Sequence, residues 1–160
     1  MILELKLTEN KLLNHKSFEF FIDEISLPEI LERFYCEEKA ILENWTNVFN
    51  NNTNINWNLI TKKQFLLEEI LDSEIEDTFS NTFSKIIIQN GIVRIREYLD
   101  QDTIIIYGCK ECGDFGCGGF EVKINNNNEK YVWTFKNDDT NKFLVLEFDK
   151  EEYIKQFDKL

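Results

Sequence analysis

Twelve residues, Gly108–Gly119, hold five of the chain's six glycines and three of its four cysteines. They read Gly-Cys-Lys-Glu-Cys-Gly-Asp-Phe-Gly-Cys-Gly-Gly. Glycine supplies backbone conformations that a Cβ forbids, so the segment is a shaped connection and no regular element runs through it. Apolar runs at Thr103–Tyr107 and Phe120–Ile124 flank it. Two short apolar runs around a glycine-rich turn predict paired antiparallel strands.

The rest of the chain repeats the strand signal. Leu3, Leu5 and Leu7 alternate with Glu4, Lys6 and Thr8, and Phe18, Phe20 and Ile22 alternate over Ser17–Asp23. Both patterns predict half-buried strands. Asn90-Gly91 between Ile86–Ile88 and Ile92–Ile95 predicts a hairpin. Tyr131–Phe135 and Phe143–Phe148 complete the strands, with polar turns at Asn125–Asn128 and Asn137–Asn141.

Three helices are expected. Ser26-Leu27-Pro28-Glu29 is a capping box with proline in the first turn, followed by Leu27, Ile30, Leu31, Phe34 and Tyr35 on one face. Thr61-Lys62-Lys63-Gln64 is a second candidate box, before Leu67, Leu71, Ile75 and Phe79 at spacing four. Asp149 caps a last helix bearing Tyr153, Ile154 and Phe157. Trp45–Leu59 is rich in asparagine and has no clear period. Strands and helices do not alternate as in a βαβ chain. The expectation is a single α+β domain over residues 1–160, mainly antiparallel sheet with about three helices.

Charge narrows the partners. The 160 residues carry a net charge of −12. Nucleic acid and anionic lipid both attract basic proteins, so neither is an expected partner; a basic protein is. The chain shows no signal-peptide pattern and no apolar run long enough to span a membrane, so a cytoplasmic protein with reduced thiols is expected.

Two short segments hold the acidic excess. Glu19–Glu43 carries eight acids against Arg33 and Lys39, and Glu68–Asp77 carries six acids and no base. In the second segment Glu68, Asp72 and Glu76 recur at spacing four, where like charges oppose helix formation. Such a face is either a solvated surface or a docking face for a basic protein, whose approach it speeds. The candidate contact residues are Glu68, Glu69, Asp72, Glu76 and Asp77, with Glu32, Glu37 and Glu38 second.

The chemistry-bearing residues give weaker patterns. Cys109 and Cys112 have zinc-knuckle spacing and Cys117 is a third thiol, but a second C-x-x-C pair is missing. A zinc site on Cys109, Cys112 and Cys117 is the alternative to a packed, metal-free loop. His15 is the only histidine, and Cys36 lies far away in sequence. No nucleophile elbow, zincin motif or P-loop is present, so no cofactor and no catalysis are expected, with a carboxylate-based enzyme the least supported reading.

Cys112-Gly113-Asp114-Phe115-Gly116-Cys117, followed by a strand and then by Trp133-Thr134-Phe135, resembles a loose group of small bacterial proteins with a C-G-D/E-x-G-C turn. The resemblance covers roughly the last 60 residues. Some members of that group look like immunity proteins of polymorphic or contact-dependent toxin systems. The resemblance implies an α+β fold and a non-catalytic protein that neutralises a toxin.

Overall fold

Alternating apolar residues build the first sheet. In this computed structural model, which describes residues 1–10, 15–36, 57–71, 73, 102–107 and 120–160, β1 (Leu3–Asn10) pairs antiparallel with β2 (His15–Ile22), from Leu3 opposite Ile22 to Asn10 opposite His15. Leu3, Leu5, Phe20 and Ile22 turn into the core, whereas Leu7 is exposed beyond its edge. A two-residue turn at Asp23-Glu24 returns the chain to β3 (Ile25–Ser26). Both turn residues have positive φ, 47° and 71°, the twist that a tight hairpin requires.

Ser26 then caps α1 (Leu27–Tyr35), its hydroxyl accepting from the Glu29 N–H at 3.4 Å, with Pro28 in the first turn as expected. Leu27 and Leu31 are buried, while Ile30, Phe34 and Tyr35 pack at the margin of the core.

The second helix departs from the expectation. α2 spans Trp57–Leu66, so Thr61 lies within it and is no cap. Leu67, at φ 57°, ends it. The Leu67 N–H donates to the Gln64 carbonyl and the Glu68 N–H to the Lys63 carbonyl, a Schellman termination with leucine where glycine is usual. Thr61 and Phe65 are fully buried one turn apart. The helix therefore starts inside the asparagine-rich segment and stops where the spacing-four pattern was expected to begin it. Glu68 follows the helix and is not part of it.

The second sheet has the order β4 (Ile104–Tyr107), β5 (Phe120–Asn126), β6 (Lys130–Asn137), β7 (Lys142–Asp149), with antiparallel neighbours throughout. The runs flanking the cysteine segment do pair antiparallel, as expected. Their register shifts between Ile105 and Tyr107, and both Ile106 and Tyr107 are buried. An irregularity of this kind breaks the alternation of faces, which is how two successive residues turn inward. Asn127 Oδ1 accepts from the Glu129 and Lys130 N–H groups and shapes the β5–β6 turn. Asn137 Oδ1 does the same for Thr140 in the β6–β7 turn. The cysteine segment and the Asn90-Gly91 hairpin lie outside the described residues.

Asp149 caps α3 (Lys150–Phe157), accepting from the Glu151 and Glu152 N–H groups. Among the described residues, one core joins both sheets with α1, α2 and α3, so the chain is α+β with mainly antiparallel sheet. At its centre, the Phe20 ring lies 5.3 Å from Phe65 and 5.4 Å from Trp133, and Phe65 stacks on Phe157 at 5.2 Å. Such offset and edge contacts add to the apolar area that the rings remove from water. α3 also covers the β1 edge: Gln156 Oε1 accepts from the Leu5 N–H and Lys159 Nζ donates to the Leu5 carbonyl. Pairing these groups removes a site for unwanted strand addition.

Candidate functional site

The acidic residues begin where the helices end. At the end of α2, two carbonyls that the helix leaves unpaired are taken by tyrosines from the second sheet and α3. Tyr153 Oη donates to the Phe65 carbonyl and Tyr131 Oη to the Leu66 carbonyl, both at 2.9 Å. Trp133 Nε1 donates in turn to Tyr153 Oη at 2.9 Å. Tyr131 and Tyr153 stack with ring centres 4.1 Å apart. Burial holds the Tyr153 hydroxyl well above the ordinary phenol range, so it remains a donor.

This clamp fixes the main chain just before Glu68 and Glu69, both of which are exposed. The Tyr131 phenol is raised first by burial and then by the negative charge of Glu68, so that carboxylate lies within electrostatic reach of the clamp. Lys63 Nζ reaches the Glu69 carbonyl at 3.4 Å, and Lys62 is paired with Asp158 at 2.7 Å. A helix C-terminus carries partial negative charge, so acids beside it are unfavourable. Glu68 and Glu69 are thus held at a position that electrostatics alone would not select.

The end of α1 is tied down similarly. Tyr35 Oη donates to the Lys136 carbonyl at 3.0 Å, and Asn137 Nδ2 approaches the Phe34 carbonyl at 3.5 Å. Burial, then the charges of Asp138 and Glu121, push the Tyr35 phenol up to about 12. Cys36 follows with φ 55° and an exposed thiol, immediately before Glu37 and Glu38 in sequence. Glu32 is half-buried on α1. Of the eight contact residues, Glu32, Glu68 and Glu69 are described; Glu37, Glu38, Asp72, Glu76 and Asp77 lie outside the described residues.

Several acids of the first segment have structural partners. Glu29 pairs with Arg33 one turn later on α1. Asp23 Oδ1 accepts from the Ile2 N–H at 2.7 Å and fastens the β2–β3 turn to β1. Glu19 accepts from Tyr107 Oη and joins the two sheets. Burial, the Glu19 charge and this hydrogen bond together raise the Tyr107 phenol well above its ordinary range. The Glu19–Tyr107 contact has no signal in the sequence, because it depends on the register irregularity that turns Tyr107 inward.

Cys109, Cys112 and Cys117 lie outside the described residues. His15 opens β2 and Cys36 follows α1. Among the described residues, no three histidine, cysteine or carboxylate side chains gather as a metal site, and no helix is long and apolar enough to cross a membrane. No family model, no curated protein and no solved structure matches the chain.

Proposed function

We propose that the protein is a non-catalytic, cytoplasmic binding protein of the bacterial immunity type. It neutralises a basic toxin domain by covering that domain's surface in a stoichiometric clamp. The observation that carries the reading is the exposed Glu68–Glu69 pair, fixed by the Tyr131–Tyr153 clamp at a helix end where its charge is intrinsically unfavourable. A positive surface docked there relieves that repulsion. Asp72, Glu76 and Asp77 continue the acidic run in sequence, and Glu32, Glu37 and Glu38 form the second contact group at α1.

The test begins with capture of the tagged full chain from source cells and identification of the toxin domain encoded beside it. Binding of that purified domain is then timed against wild type and the Glu68→Lys/Glu69→Lys variant. The reversal is expected to slow association about tenfold and to flatten its salt dependence, since exposed charges act chiefly on the encounter rate. An unchanged association rate with a folded variant returns the pair to a solvated surface.

A further inference from the structure

We draw no further inference here: the strongest candidate, the exposed patch that Leu67 and Leu71 form around Glu68 and Glu69 just past the end of α2, belongs to the site already described, and nothing in the structure shows what covers it.

Discussion

Tyrosine hydroxyls carry much of the specific chemistry of this protein. Tyr131 and Tyr153 close the end of α2, Tyr35 ties α1 to the second sheet, and Tyr107 joins the sheets through Glu19. A buried hydroxyl and its acceptor are costly to separate, because the acceptor then stays dry and unpaired. Tyr153→Phe frees both the Phe65 carbonyl and the Trp133 N–H, and is expected to lower stability by about 1–3 kcal/mol in urea melts. These phenols also set an alkaline limit. Each is raised in the folded chain, so folding favours its neutral form. The stabilisation is full below the unfolded value of 10.0; for Tyr35 it is lost as pH climbs from there towards about 12. Stability should therefore fall above about pH 10, and Tyr35→Phe should flatten the decline. A melt series showing wild type and variant with the same slope in that window would remove Tyr35 from the account.

At the scale of elements, several connections use residues that fit their backbone poorly. Leu67 and Cys36 end their helices at positive φ, and Glu24 occupies the second position of a tight turn at φ 71°. Glycine takes these conformations without a Cβ clash but leaves a freer unfolded chain. Replacing the exposed Glu24 by glycine is expected to stabilise the protein by about 0.5–1 kcal/mol, read as a higher denaturation midpoint. A lower midpoint would mean that the Glu24 side chain makes an important contact. The same poor fit conceals the end of α2, which stops at Leu66 and does not run on through Leu67 and Leu71 as the spacing predicts; Ile75 and Phe79 of that pattern lie outside the described residues. Without glycine after Leu66, no local signal stops the helix. Thr61, the apparent cap, is instead a buried interior residue whose hydroxyl has no hydrogen-bond partner among the described residues. By contrast, Ser26-Leu27-Pro28-Glu29 and Asp149 were legible because side chain and backbone agree there.

Over the whole molecule, charge and core occupy different places. Trp133 touches Phe20, Phe65, Phe135, Phe148 and Tyr153 and is fully buried. Trp133→Ala should cost about 3–5 kcal/mol, a large share of what holds a domain of this size. Calorimetry that found a change below about 1 kcal/mol would contradict the single shared core. The cysteine segment adds a compositional expectation: protein purified without added metal should contain no stoichiometric zinc, as measured by elemental analysis. One zinc per chain would favour the Cys109, Cys112 and Cys117 site instead.

The sequence by itself determined six of the strands among the described residues, all but the two-residue β3, together with the two well-capped helices and the antiparallel pairing around the cysteine segment. Each of these follows from residues close together in the chain: a period of two, a capping side chain, or apolar runs either side of a glycine-rich turn. It also located the acidic segments. Only the tertiary structure decided which acids are exposed. Glu19 is drawn between the sheets, Asp23 and Glu29 are engaged locally, and Glu68 and Glu69 remain on the surface beside the clamp. Those outcomes depend on the shifted register at Tyr107 and on tyrosines more than 60 residues away from the α2 carbonyls they meet. Contacts so distant in sequence leave no periodic trace, because they arise only when separately formed elements pack on one core.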